Sequence, residues 1–494
     1  MRGTIYPKAA VAKRNAAEET LDAARHIERP DHGAGDVQEK AVFAVVGLLS
    51  DVLSAVRTTG WFVASSVVSA GLRKDRTLHS RERRYVGDTV HHILRHLRRL
   101  RVLCNEKQPS ALALYAAHLL DTSPVDTSLV DTSPVDTSDL GRMPPFVWHR
   151  LLSRSRLHPD EVLAQKRALD NRLLKVAQAA PDEQVRTLGE ALSYPDWLVS
   201  LFLAEFGVAQ TETLLRVQSG RAPLTLRVNP CRMRRAELLE RLGALGFSAQ
   251  ATPLSPWGVT LSTHVNVYTL PLFQEGFFEV QDEASQLVTA LCAPPANGLV
   301  LDVCAGAGGK TLGLSAMMGN RGRVLALDPD PDKLLELKKR ARRAGLTNIE
   351  TLCAKDAALP QKRVGAGADR VLVDAPCSGL GVLRRNPEAR WRLAEKDLAE
   401  LSDKQRLILR QAAKLVAKNG HLIYATCTLV RRENDDVIDE FLAQHPEFAE
   451  VPLSQVLPET TLSALPLSGP YRLRTWPQKD GPDGFFAALL KRIE

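Results

Sequence analysis

Seven cysteines serve 494 residues, at 104, 231, 292, 304, 353, 377 and 427. Their number is odd, their spacing wide, and no two form a CxxC pair. That argues against both a disulfide framework and a zinc site and fits a reducing cytoplasm. A long unbroken apolar run is also missing. The stretch 41–72 is interrupted by Asp51, Arg57 and Gly60, so it reads as buried helices rather than a membrane span. The N-terminus lacks the layout of a signal peptide. There is no acidic excess either: the formal charge is +8 and the pI about 9.1, which points to an anionic partner.

What is present is unevenly placed. Between Arg73 and Arg101 stand ten Lys/Arg against Asp75, Glu82 and Asp88. Arginine dominates this run and suits phosphate, so nucleic acid is favoured over a merely solvated helix face. Residues 1–35 are polar and poorly patterned, as expected of a flexible tail. Residues 36–178 carry helical periodicity. Within them "DTSPVDTSLVDTSPVDTS" (121–138) is a five-residue repeat, read with its neighbour 139 as an exposed insertion. Residues 179–285 form a small α+β unit of ferredoxin or RRM type, with "LTLRVNP" and "GVTLS" as strands.

From 286 to 494 strand, loop and helix alternate. The strands are "LVLDVC", "RVLALD", "IETLCA", "RVLVDA" and "HLIYAT". Continuous apolar strands between amphipathic helices predict a doubly wound, Rossmann-like α/β domain with a parallel sheet. The final "YRLRTWPQ…GPDGFFAALLKRI" has a hairpin pattern suited to a sheet edge.

The loop "LDVCAGAGGKT" (301–311) joins the first of these strands to its helix, where α/β folds bind ligands. It is not a P-loop, because the required first glycine falls on Cys304. It is not a dinucleotide fingerprint, because Thr311 stands where the last Gly or Ala belongs. What remains is a glycine turn, Cys304, Ala305, Gly306, Ala307, Gly308, Gly309 and Lys310, aiming a helix N-terminus at a negative group. Asp328 ends the next strand, 19 residues after Gly309, and can accept from ribose hydroxyls. Asp356 ends the third strand and can receive an amino group from a base. The expected ligand is a nucleoside carrying a carboxylate, such as S-adenosylmethionine. No metal is expected.

Two further strands end in thiols. "DAPCSG" (374–379) carries Cys377, and Cys427 in "LIYATCT" follows 50 residues later. If the two strands are neighbours, their backbones lie ~4.8 Å apart and both thiols reach the same crevice. A thiolate is a soft nucleophile. Added to C6 of cytosine, it turns the unreactive C5 into an enamine-like carbon that can attack a sulfonium methyl. Asp374, if protonated, can hydrogen-bond N3 as the thiolate adds. Cys292, Cys304 and Cys353 read as core residues.

At "LDVCAGAGGKT", "DAPCSGLGVLRRNP", "YATC" and "QDEAS" (281–285) the chain resembles the Sun/nucleolar-protein family of RNA 5-methylcytosine methyltransferases, over about 190–494. The resemblance implies that Cys427, in the "TC" motif, is the nucleophile. Cys377, in the "PC" motif, would assist release of the RNA. DNA cytosine methyltransferases use only a "PC" cysteine, so the second thiol points to RNA. The cofactor residues carried over are Cys304 to Lys310, Asp328, Asp356 and Asp374. The family loop usually reads C-A-A-P-G-G-K, and Gly306 and Ala307 replace its Ala-Pro, so a less rigid loop is expected.

"RERRYVGDTVHHILR", in the helical region, is similar to the RNA-binding antitermination-factor-like domain of bacterial small-subunit rRNA methyltransferases of this family. Arg384, Arg385 and Asn386 are expected to hold the target nucleotide's backbone, with the cytosine flipped or unpaired. The expectation is a cytoplasmic, monomeric enzyme acting on small-subunit rRNA, away from membranes. The alternatives are a tRNA substrate and an RNA-binding assembly factor without activity.

Overall fold

The computed structural model describes residues 36–60, 64–122, 136–137, 141–142, 145–262, 265–354, 361–465, 469–477 and 481–493. The expected tail 1–35, nearly all of the repeat insertion and Asp356 lie outside them. The chain splits into two compact units, 1–175 and 176–494.

The first unit is helical: α1 (Asp36–Thr59), α2 (Ala64–Lys74), α3 (Ser80–Arg95), α4 (Leu97–Leu103), α5 (Ala111–Thr122), α6 (Pro145–Ser155) and α7 (Pro159–Leu174). α1 is long and apolar enough to cross a bilayer, but its Val45, Leu49 and Val52 fill a core shared with Val90, Ile93 and Leu114. The buried hydroxyls of Tyr85 and Tyr115 satisfy one another at 2.8 Å. The basic run divides by environment. Arg99 is internal, bonded to Asp121 at 2.8 Å and Asp170 at 2.9 Å. Arg83 donates to the carbonyls of Leu72 and Asp75. Arg73, Lys74, Arg76, Arg81 and Arg84 are exposed, so a smaller set than the whole run faces solvent.

The second unit opens with α8 (Pro181–Leu192) and α9 (Asp196–Ser219), the latter broken at Gly207, where φ is 73°. A four-stranded antiparallel sheet follows from β1 (Leu224–Val228), β2 (Ala249–Ala251), β3 (Gly258–Leu261) and β4 (Phe278–Val280), in the order β2-β3-β1-β4. With α10 (Arg235–Ala244) between β1 and β2, it makes a ferredoxin-like layer. α11 (Glu283–Cys292) leads from it into the main sheet.

That sheet contains β5 (Leu299–Asp302), β6 (Arg323–Asp328), β7 (Ile349–Cys353), β8 (Ala368–Asp374), β9 (Val416–Thr426), β10 (Phe448–Glu450), β11 (Arg472–Thr475) and β12 (Phe485–Arg492). The order is β7-β6-β5-β8-β9-β12-β10, with β11 also on β12. β5 to β9 are parallel and β12 runs antiparallel to β9. The apolar strands are continuous because both faces are covered. Leu301, Leu325, Val371, Val373 and Leu422 pack on one face, under α14 (Glu395–Ala413) and α15 (Asp435–Gln444). Val300, Val324, Leu372 and Ile423 pack on the other, under α11 and α12 (Gly309–Met317). This is the expected Rossmann-like domain behind an α+β unit and a helical region. The C-terminal hairpin forms between β11 and β12, but β12 is no edge: β9 and β10 also flank it.

Candidate functional site

The turn from β5 into α12 needs two glycines with left-handed backbones, Gly306 (φ 53°) and Gly308 (φ 87°). A Cβ on Gly308 would lie 2.5 Å from Leu337 Cγ, whereas above Gly306 there is open space. Asp328 steadies the turn, accepting from Gly306 N at 2.8 Å and Asp330 N at 2.9 Å. Each carboxylate oxygen keeps a second lone pair for a ribose hydroxyl.

Two guanidiniums hold the turn's carbonyls from outside. Arg340, on α13 (Pro331–Ala344), donates to Ala307 O at 2.7 Å, and Arg227, on β1, to Gly309 O at 2.7 Å. Glu279 of β4 binds Arg340 at 3.0 Å and also pairs with Arg343. Burial pushes Arg227 down to about 10, Glu279 opposing and Arg340 assisting. The loop that lacks the family's proline is therefore clamped by side chains from the ferredoxin-like layer and α13.

Asp302, the last residue of β5, is a site residue that the sequence reading passed over. It is fully buried. Oδ2 accepts from Thr311 Oγ1 at 2.6 Å, while Oδ1 has no partner among the described residues. Burial pushes its carboxyl up to about 7; Thr311 and Lys310 oppose this, and the charges of Asp374 and Asp328 add to it. A buried, unsatisfied carboxylate oxygen beside a glycine turn fits a cationic group. S-adenosylmethionine meets these residues on three counts: an ammonium for Asp302, a carboxylate for the N-terminus of α12, and a ribose for Asp328.

The two thiol strands are neighbours. β8 and β9 pair in parallel, with Val371 beside Leu422 and Asp374 beside Ala425. Cys377 Sγ and Cys427 Sγ lie 3.4 Å apart, and Cys427 N donates to Cys377 Sγ at 3.3 Å. Both are free thiols of intermediate exposure. The hydrogen bond to Cys427, burial, and the charges of Cys427 and Glu433 push Cys377 well above the usual thiol range.

Lys310 Nζ donates to Asp374 at 2.6 Å and lies 5.2 Å from the Phe485 ring centre. Burial works against its ammonium, but Asp374, then Cys427 and Asp302, outweigh it and raise its pKa. Asp374 is thus placed as the hydrogen-bond acceptor of Lys310.

A turn at 431–434 braces both thiol loops. Glu433 accepts from Ser378 N and from Gln405 Nε2, each at 2.9 Å. Asn434 accepts from Thr426 Oγ1 at 2.5 Å and donates to Thr428 O at 3.1 Å. The residues flanking Cys427, and Ser378 after Cys377, are anchored to one short segment. An acid and an amide closing a basic "RREN" just after the cysteine strand were the available signal.

Of the residues expected at the RNA backbone, Arg384 is placed elsewhere. Its side chain is 1% exposed and bonds Asp483 at 2.5 Å. It is occupied by a buried carboxylate and has no surface to offer RNA. Arg385 pairs with Asp483 and, at 2.8 Å, with Asp282, leaving its side chain 29% exposed. Asn386 is exposed. The arginines fasten the "DAPCSG" loop to "QDEAS" and to the loop before β12. Cys292 is buried as expected, but Cys353 is exposed at the end of β7.

Residues 289–491 match the family model described as 16S rRNA methyltransferase RsmB/F, and residues 194–268 match its ferredoxin-like domain. The chain is 38% identical over 316 residues to the "Probable ribosomal RNA small subunit methyltransferase B" of Bacillus subtilis, covering 63% of this chain and 69% of the relative. It is 36% identical over 313 residues to the protein of that name from Synechocystis, with the same coverage. Among solved structures, that titled PH0851 superposes with a TM-score of 0.67 at 25% identity, covering 94% of this chain and all of the other. The chain belongs to the RsmB/F (Sun) family of S-adenosylmethionine-dependent rRNA methyltransferases.

Proposed function

We propose that this methyltransferase modifies C5 of a cytosine in small-subunit rRNA, through a transient covalent bond between Cys427 and C6. The observation that carries the reading is the pair of thiols 3.4 Å apart at the ends of adjacent strands, beside the Lys310–Asp374 pair. A methyltransferase acting on an oxygen or an exocyclic amine has no use for two thiols there. The hydrogen bond to Cys427 and burial both disfavour an anion on Cys377, which supports Cys427 as the attacking sulfur. Its sulfur adds to C6, and the ring's electrons collect at C5. Asp374, paired with Lys310, can accept from the cytosine 4-amino group and so orient the ring.

S-adenosylmethionine supplies the electrophilic methyl group. After transfer, a base takes the C5 proton, and the electrons of that C–H bond expel the Cys427 thiolate from C6, restoring aromaticity. Cys377 assists this release. The exposed Arg73, Lys74, Arg76, Arg81 and Arg84 supply sequence-blind affinity for phosphate, and Asn386 stands near the thiol loop for the target strand.

The test is a denaturing gel of wild type, Cys377→Ala and Cys427→Ala, each with S-adenosylmethionine and unmodified small-subunit rRNA or tRNA. Cys377→Ala is expected to accumulate a protein–RNA adduct with the rRNA, because attack proceeds and release stalls. An adduct from Cys427→Ala alone would reverse the roles. An adduct only with tRNA would change the substrate. Methyl transfer surviving in Cys427→Ser would remove the covalent route.

A further inference from the structure

The thiol chemistry leaves Glu433 without a role. Its side chain is fully buried behind the Cys377 loop. Oε1 accepts from Ser378 N and Gln405 Nε2, and Oε2 from Ser378 Oγ. Gln405 also donates to Pro376 O at 3.0 Å, so both neighbours of Cys377 are tied to this cluster. Ser378 Oγ in turn meets the hydroxyl of Thr428, next to Cys427, at 2.9 Å. No cation among the described residues pairs with Glu433. The other titratable groups around the thiols are Tyr424 of β9, Cys304 of the cofactor turn, the Lys310–Asp374 pair, and Arg406 of α14, which pairs with Glu440 at 2.7 Å. The positive charges among them already have carboxylates.

We propose that Glu433 is a positioning residue that decides which thiol keeps the proton, its buried carboxylate holding Cys377 as S–H and so leaving Cys427 to be the thiolate. The inference rests on Cys427 being the nucleophile. Two adjacent thiols of equal acidity would share one negative charge, and half of the enzyme would be poised to attack with the wrong sulfur. A fixed anion on the Cys377 side breaks that symmetry, and a low dielectric makes it effective. The charge of Glu433 is one of the causes that raise Cys377.

Glu433→Gln separates charge from geometry. The amide oxygen can still accept from Ser378 N and Gln405. Its NH2 can donate to Ser378 Oγ once that hydroxyl turns to donate to Thr428. The bracing survives and the charge is gone.

Peptide-resolved alkylation of the full chain, from about pH 6 to about pH 10, reads each thiol separately. In Cys427→Ser, with the partner thiol removed, Cys377 is expected to alkylate with a midpoint well above the ~8.5 of an ordinary thiol. Adding Glu433→Gln is expected to lower that midpoint by about one pH unit. Adding Ser378→Ala instead loosens the same loop but keeps the carboxylate, and is not expected to lower it. A midpoint at or below ~8.5 in Cys427→Ser alone overturns the proposal, even where Glu433→Gln does not fold. So does a midpoint that Glu433→Gln leaves unmoved, or an equal drop from Ser378→Ala. Failure of the Cys427 reading is seen separately, as an RNA adduct through Cys377 in the trapping gel, and leaves the alkylation midpoints as they are.

Discussion

Asp302 makes the stability of the methyltransferase unit depend on pH in a way that one substitution can isolate. Its folded pKa of about 7 lies above the ordinary 3.8 because the side chain is buried with one oxygen unpaired. Above about pH 4 the unfolded chain gives up this proton while the folded chain keeps it. The carboxyl therefore costs stability progressively as pH rises from about 4 to about 7, and the cost is flat beyond. The rise from 3.8 to about 7 corresponds to about 4 kcal/mol in full.

Asp302→Asn mimics the protonated carboxyl and can keep the bond to Thr311. It should remove this slope. Between about pH 5 and about pH 7.5 the variant's stability relative to wild type should rise by about 2.5 kcal/mol, read by urea unfolding without cofactor. S-adenosylmethionine should bind wild type with release of a proton near pH 6, because its ammonium meets the carboxylate, and should bind the variant at least ~10-fold more weakly. A stability difference that does not change with pH would refute the argument, since titrating groups not coupled to Asp302 cancel in the comparison.

Arg340→Ala removes a charged hydrogen bond to Ala307 O, worth about 1.5–3 kcal/mol. Cofactor affinity by calorimetry should fall about 10- to 100-fold, and an unchanged Kd would mean that the turn holds its shape unaided. Arg384→Ala breaks a buried ion pair, at about 3–5 kcal/mol, so urea unfolding should shift while the salt dependence of RNA binding stays put. A change in that salt dependence would return Arg384 to the RNA. Arg81→Ala and Arg84→Ala should do the reverse, each lowering the slope of log K against log salt by about one without lowering stability. Gly381→Ala would place a Cβ 2.0 Å from Gly484 O. Backbone must move between two motif loops, and a loss of about 2–3 kcal/mol is expected by thermal or urea unfolding.

Much of the candidate site's geometry was legible because strand ends collect at one edge of the sheet. Each thiol, Asp328 and the glycine turn sit where an apolar run stops, and a parallel sheet brings such stops together at its carboxyl edge. The pairing of β8 with β9 needed only that sequential strands tend to be neighbours. The hairpin was legible too, but its place was misjudged. "FFAALL" has no alternation, the pattern of a strand covered on both faces, and β12 is flanked by β9 and β10.

What stayed hidden are charges that act across long stretches of chain. Arg384 and Asp483 are 99 residues apart, and Arg227 reaches Gly309 across 82. Such pairs leave no local periodicity, and an arginine that neutralises a buried acid looks in sequence like one awaiting phosphate. The burial of Arg384 in "LRRNP" follows only from the fully buried Asp483 opposite it. Basic residues next to a nucleic-acid site thus divide into two groups, those that build the site and those that touch the substrate. Burial of the guanidinium decides between them, and a salt titration of each variant reads that difference directly.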